Sequence, residues 1–338
     1  MKIEIIGSGI VGLSCAAAFA ERCCDVTVIS ASDGPDASCC SWWAGGMLSP
    51  WCEMESAEPI IGELGVESMA FWSRFTSTYQ QKGTLVVATP RDVPDLKRFG
   101  RRTENWEQIK SDKIRELEPD LADRFSTALY YPEEAHFDPR EVLPELVNYL
   151  KDKGVSFLFN ASIDSNGLNS PTKADFRIDC RGLAAKDTLD DLRGVKGEMI
   201  LIKSSEVTLS RPIRLLHPRI PLYIVPRKEG VFMVGATMIE NEERSRASVR
   251  SVLELLSAAY ALHPAFGEAE ILEIGVDARP AFPDNLPQII QRGKTIHLNG
   301  MYRHGYLAAP AMAKRVADLA LQGTGNTPPS SLSSGMSL

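Results

Sequence analysis

The chain opens with apolar runs punctuated by glycine. Lys2-Ile3-Glu4-Ile5-Ile6 is rich in β-branched residues, Gly7-Ser8-Gly9-Ile10-Val11-Gly12 follows it, and Leu13-Ser14-Cys15-Ala16-Ala17-Ala18-Phe19-Ala20 is small and apolar. The first run predicts a buried parallel strand, and the alanine-rich stretch predicts a helix packed closely on it. Asp25-Val26-Thr27-Val28-Ile29 adds a second strand, which completes a βαβ unit. In such a unit Gly7 permits the tight turn, Gly9 lets a pyrophosphate meet bare backbone, and Gly12 lets helix and strand touch. Amide groups at the helix start then face the phosphates. These glycines leave the dinucleotide open between NAD and FAD. Second strands of this kind usually end in an acid that binds a ribose; this one ends at Ser30, with Asp33 three residues on, and Ser30 is kept as the ribose contact.

Further along, Cys39 to Glu53 sets Trp42, Trp43, Trp51 and Met47 among small residues, which fits either backbone lying against a flat cofactor or a satellite hydrophobic cluster. Helices are expected over Pro59–Thr78, Pro94–Arg102, Trp106–Glu118, Asp138–Leu150 and Ser248–Ala261, with Asp138 as N-cap and Pro139 at the first position. Strands are expected at 83–88, 128–131, 155–159 and 176–180, the last running into the small-residue turn Cys180-Arg181-Gly182. Apolar runs at 198–202, 214–216, 222–225 and 231–234 predict an antiparallel sheet. Asp277 to Pro287 carries too many prolines for a helix or an inner strand. There Arg279 reads either as a carboxylate clamp or as a surface arginine in a rigid loop. Thr295–Asn299 is the last expected strand, a closing helix is expected over 311–321 starting near Pro310, and Gly323 to Leu338 reads as a disordered tail.

Composition narrows the function. The length of 338 residues suits about two domains, and a net charge of -7 argues against nucleic acid or an anionic membrane surface as partner. Without a long apolar run or a signal-like N-terminus, a cytoplasmic protein is expected. Seven cysteines lack metal or redox spacing and read as reduced thiols, and the five histidines share no ligand spacing, so no metal is expected.

In this order, Gly7 to Gly12, Ala44-Gly45-Gly46-Met47-Leu48, Tyr223-Ile224-Val225-Pro226-Arg227, Val234 to Met238, Arg279-Pro280 and Tyr302-Arg303-His304-Gly305 resemble the D-amino-acid oxidase superfamily, in particular the glycine oxidases of thiamine biosynthesis. The resemblance implies an α/β (α+β) fold: a discontinuous Rossmann-type FAD-binding domain (1–80, 145–196 and 285–322) with an inserted substrate domain (81–144 and 197–284) built on an antiparallel sheet. It implies that FAD is held by Gly7, Ser8, Gly9, Ile10, Val11, Gly12, Ser30, Ala44, Gly45, Gly46, Met47, Leu48, Cys180, Arg181 and Gly182. Further cofactor contacts fall to Arg279, Arg303, His304, Gly305, Tyr306 and Leu307. Arg279 with Tyr223 takes the substrate carboxylate, and Arg303 is a second active-site arginine. The implied reaction is oxidation of glycine by hydride transfer to flavin N5, giving imine and hydrogen peroxide with O2 as acceptor, for thiazole formation. A homo-oligomer, in the form of a tetramer, and a link to a thiazole synthase come with the resemblance. Sarcosine or D-amino-acid oxidases and dehydrogenases, a flavin-binding partner protein without turnover, and an NAD-dependent dehydrogenase are the alternatives.

Overall fold

In the computed structural model the described residues are 1–217 and 222–322; the expected tail at 323–338 lies outside them. The chain begins with β1 (Lys2–Ile6), α1 (Ile10–Ala20), β2 (Asp25–Ile29), β3 (Met47–Leu48), α2 (Pro50–Glu53) and α3 (Pro59–Phe75). It continues through β4 (Thr84–Ala88), α4 (Val93–Arg102), β5 (Glu107–Lys110), α5 (Ser111–Leu117), β6 (Thr127–Tyr131), β7 (Ala135–His136), α6 (Pro139–Asp152), β8 (Ser156–Leu158), α7 (Ser165–Asn169) and β9 (Phe176–Asp179). The remainder holds β10 (Arg193–Lys203), β11 (Ile213–Leu216), β12 (Leu222–Pro226), β13 (Val231–Gly235), α8 (Val249–Leu262), β14 (Glu270–Ala281), β15 (Gln288–Arg292), β16 (Thr295–Asn299) and α9 (Gly305–Gln322).

Two sheets organise these elements into a mixed α/β fold. One has the order β15-β16-β9-β1-β2-β8, with β1 parallel to both β2 and β9. The other runs β14-β10-β13-β12-β11-β4-β6-β5, antiparallel except where β11 lies parallel to β4. Parallel pairing at β1 buries both faces of that strand, which is why its sequence is an apolar run. On one face lies α1, where Leu13, Ala16, Ala17 and Phe19 are fully buried. Small side chains let this helix come close. A Cβ at Gly12 would stand 1.9 Å from the Gly7 carbonyl oxygen, so alanine there would push α1 off the turn.

Two stretches differ from what local pattern predicts, and a third settles what it left open. Trp106 to Glu118, expected as one helix, is split into β5 and α5. The Trp106 indole instead lies over Gly100, donates to its carbonyl at 2.9 Å, and leaves β5 free to pair with β6. The proline-rich stretch at Arg279 belongs to the long strand β14, which tolerates Pro280 because it is a sheet edge and pairs with β10 alone. The closing helix starts at Gly305, ahead of Pro310, rather than near it. Pro310 has no N–H for the Tyr306 carbonyl, and that carbonyl accepts the Trp72 indole N–H at 2.8 Å, so the missing helical bond is replaced by one to α3. The Asp138 cap forms as expected, accepting from the Arg140 amide at 2.9 Å.

β3 pairs with β7, setting Met47 beside His136. His136 is 1% exposed, and burial, with the Arg227 charge adding to it, lowers its pKa to about 3. Unfolded, the same ring takes up a proton near 6.5. Stability is therefore full above that value and falls as pH drops through the window below it, by about 1.4 kcal/mol per pH unit. Melting curves at pH 7 and pH 5 should show a smaller loss of Tm for His136→Gln than for the wild type; equal losses would remove His136 from this role.

Candidate active site

A cavity of about 1040 Å³ runs from the glycine turn after β1 to the space between the eight-stranded sheet and the loop before α9. At its first end Gly7, Ser8, Gly9, Ile10 and Val11 line the wall, whereas Gly12 is spent on the contact with Gly7. Gly9 caps α1 without a side-chain bond, and no acid occupies the first turn, so the positive end of the helix is left for an anion. A Cβ on Gly9 would meet no protein atom nearer than 3.5 Å. Glycine there is not required by the fold; it leaves room for something in the cavity.

Ser30 lines the cavity, 3% exposed, with its hydroxyl 2.7 Å from that of Ser8. Asp33, the nearby acid, accepts from the Asn160 amide instead. Cys180, Arg181 and Gly182 also line the wall. The Arg181 side chain is committed: Nε lies 2.9 Å from Asp179 and Nη2 2.7 Å from Asp187.

Along the middle, Ala44, Gly45, Gly46 and Met47 face the cavity. Leu48, the next in that stretch, turns into the core and is fully buried. Of the tryptophans expected around a cofactor, Trp43 lines the cavity, while Trp51 packs in a separate core cluster. Both Trp42 and Trp43 carry the Arg140 guanidinium at 5.1 Å. His304, Gly305, Tyr306 and Leu307 complete the opposite wall at the start of α9.

The far end is built on two strands of the eight-stranded sheet. Tyr223 of β12 stands directly across from Arg214 of β11, so both side chains share the cavity face. Burial raises the Tyr223 phenol above its ordinary pKa, and its hydroxyl has no hydrogen-bond partner among the described residues. Arg279 projects from β14 over Gly197, where a Cβ would stand 2.3 Å from its Nη2. Its Nη1 donates to the Thr237 carbonyl at 3.0 Å, and it meets no carboxylate among the described residues.

Arg303 reaches the same region but is not free. Its Nη2 is 3.0 Å from Glu53 and 2.6 Å from the Ser56 hydroxyl. Glu53 also binds Arg214 and lies 3.0 Å from His304 Nε2. Burial alone would raise the Glu53 carboxyl, but Arg303 and Arg214 hold it well below the usual carboxylate range. Burial likewise lowers the His304 pKa and keeps its ring neutral. Sequence reading missed Glu53 and Arg214. The one available signal was Arg214 itself, a lone charge in the apolar run Ile213-Arg214-Leu215-Leu216 that called for a counter-ion.

A glycine turn at a bare helix start, opening into a long cavity that ends against a mostly antiparallel sheet, defines a dinucleotide-binding α/β protein whose cavity extends well beyond the glycine turn. The chain belongs to the FAD dependent oxidoreductase family, which matches residues 2–319. It is 47% identical to the thiamine biosynthesis oxidoreductase ThiO of Rhizobium etli across 94% of this chain and 95% of that one. It is 25% identical to the glycine oxidase of Geobacillus kaustophilus across 94% of this chain and 92% of the relative. The crystal structure of glycine oxidase from Geobacillus kaustophilus superposes with a TM-score of 0.80 at 23% identity, covering 95% and 94% of the two chains.

The cavity fits FAD by its own features: an uncapped helix start at Gly9, open space above that glycine, and a far end where the Arg279 guanidinium meets no carboxylate among the described residues. Gly9→Val should fold normally yet bind FAD about 100-fold more weakly or worse, since its side chain takes the diphosphate's place. Fluorescence titration of the apoprotein with FAD measures this, and wild-type affinity in the variant would contradict the assignment.

Proposed function

We propose that this FAD-dependent oxidoreductase oxidises glycine to its imine with O2 as acceptor, releasing hydrogen peroxide, and that the imine serves thiazole formation in thiamine biosynthesis. The observation that carries the reading is Arg279, a guanidinium that meets no acid among the described residues, lining the same cavity as Tyr223, whose hydroxyl has no partner among them either. A carboxylate takes two parallel N–H bonds from such a fork, and the phenol supplies one more donor. The relatives named ThiO and glycine oxidase support the choice of substrate.

In this reading FAD lies along Gly7–Val11, Ser30, Ala44–Met47, Cys180–Gly182 and His304–Leu307, with the adenine-diphosphate end at α1. When bound, FAD supplies the hydride acceptor and returns its electrons to oxygen. The chain's own part is to fix the substrate by its carboxylate, so that Cα–H stands in one orientation. Glu53 does not serve as a base, because two guanidiniums keep it ionised and weakly basic. The amine must therefore arrive neutral, its lone pair free to assist departure of the hydride.

We assign residues 1–80, 145–196 and 285–322 to FAD binding and 81–144 and 197–284 to the substrate. The strands of the six-stranded sheet all fall in the first set, and those of the eight-stranded sheet in the second apart from the start of β10, which supports the division. A homo-oligomer, a tetramer, and a functional link to a thiazole synthase belong to the same proposal. Exposed Val249, Leu253 and Tyr260 on α8 support association. A cytoplasmic setting is supported by seven free thiols.

Purified holoprotein incubated with glycine in air should release peroxide; none, with flavin fully bound, would refute the proposal. Arg279→Ala should retain flavin and raise the glycine KM about 100-fold or more, from loss of a charge-assisted pair. An unchanged KM would take Arg279 out of the carboxylate role.

A further inference from the structure

The substrate end of the cavity carries more positive charge than one amino-acid carboxylate neutralises. Arg214, Arg279 and Arg303 all line it, and among the described residues the carboxylate paired with any of them is that of Glu53. Glu53 ends α2 with its side chain 11% exposed. One of its oxygens accepts from Arg214, and the other lies 3.0 Å from Arg303 and 3.0 Å from His304. The carboxylate thus sits between two guanidiniums in the cavity wall, where an anionic group of a ligand would otherwise bind. Arg214 shares this wall with Tyr223, its cross-strand neighbour. Its Nε is buried without a hydrogen-bond partner among the described residues, so Glu53 does not exhaust its donors.

We propose that Glu53 is a specificity-determining residue: its carboxylate fills an anion subsite formed by Arg214 and Arg303, which limits the substrate to one carboxylate, held by Arg279, and repels amines bearing a second. This rests on reading the cavity as an amino-acid site. In the wild type, a ligand's second carboxylate meets the Glu53 charge instead of a free guanidinium. With Glu53 neutral, two guanidiniums face the cavity with no anion between them, and the same end of the site becomes a receptor for dicarboxylic amines such as iminodiacetate and D-aspartate. A purely structural ion pair would weaken all substrates alike when broken, without changing their order.

The test compares kcat/KM for glycine and iminodiacetate in the holoenzyme. Glu53→Gln should raise the iminodiacetate-to-glycine ratio at least about tenfold, as expected for one newly available charge pair. Glu53→Asp, which keeps the charge, should hold the wild-type ratio, and adding Arg214→Met to Glu53→Gln should return it towards wild type. An unchanged ratio in a Glu53→Gln protein that binds flavin overturns the proposal, as does a raised ratio that survives Arg214→Met.

Calorimetric titration of the wild-type holoenzyme with acetate and malonate gives a readout that needs neither turnover nor a variant. Acetate should bind the more tightly, and equal or tighter malonate binding overturns the subsite. Acetate selectivity without peroxide from glycine would count against the proposed reaction while leaving the role of Glu53 standing.

Discussion

A guanidinium left without a counter-ion in a half-buried wall is costly, and among the described residues the far end of the cavity keeps Arg279 in that state. Among the acids that line the cavity are Asp277, Glu198 and Glu53, which share it with Arg279. Each is taken by another base. Asp277, two residues away on β14, pairs with Arg244; Glu198 lies 3.5 Å from Lys196; Glu53 is shared by Arg214 and Arg303. Gly197 gives the Arg279 side chain its room and the Thr237 carbonyl fixes one of its nitrogens. The result is a positive charge on the cavity wall, which is what the proposed carboxylate role of Arg279 requires.

The two sheets contribute to this site in different ways. Around the parallel sheet, glycines and small residues bring backbone to the cavity: the turn at Gly7, the start of α1 and the stretch from Ala44 to Met47 present little side chain. The eight-stranded sheet brings charged and phenolic side chains on one face, Arg214 and Tyr223 by cross-strand pairing and Arg279 from the edge strand. Glu53 joins the halves, since Arg214 belongs to the eight-stranded sheet and Arg303 to the loop that feeds α9. The start of α9 is held in turn by the Trp72 bond to the Tyr306 carbonyl.

Much of this was legible in local sequence where the cause is local. The opening βαβ unit, the Asp138 cap and the runs that became β4, β6, β12 and β13 follow from periodicity and turn chemistry. β14 was only partly legible, because Pro280 and Pro283 argue against an inner strand and nothing local shows the edge position that makes a proline acceptable. Likewise, Pro310 reads as a helix start until Trp72, far away in sequence, is seen to take over the carbonyl it vacates. The Glu53 cluster was the least accessible part. Arg214 lies 161 residues from Glu53, and nothing within either segment names its partner. Arg303, expected beside the substrate, lines the cavity but spends its charge on that distant carboxylate.

In the proposed reaction a small amine, held through one carboxylate, gives up a hydride to a flavin along the cavity. Mixing the holoenzyme with glycine in the absence of oxygen and recording the visible flavin spectrum tests that claim most directly. Glycine should bleach the flavin band and admitting oxygen should restore it; a flavin spectrum unchanged by saturating glycine would contradict the proposed reaction.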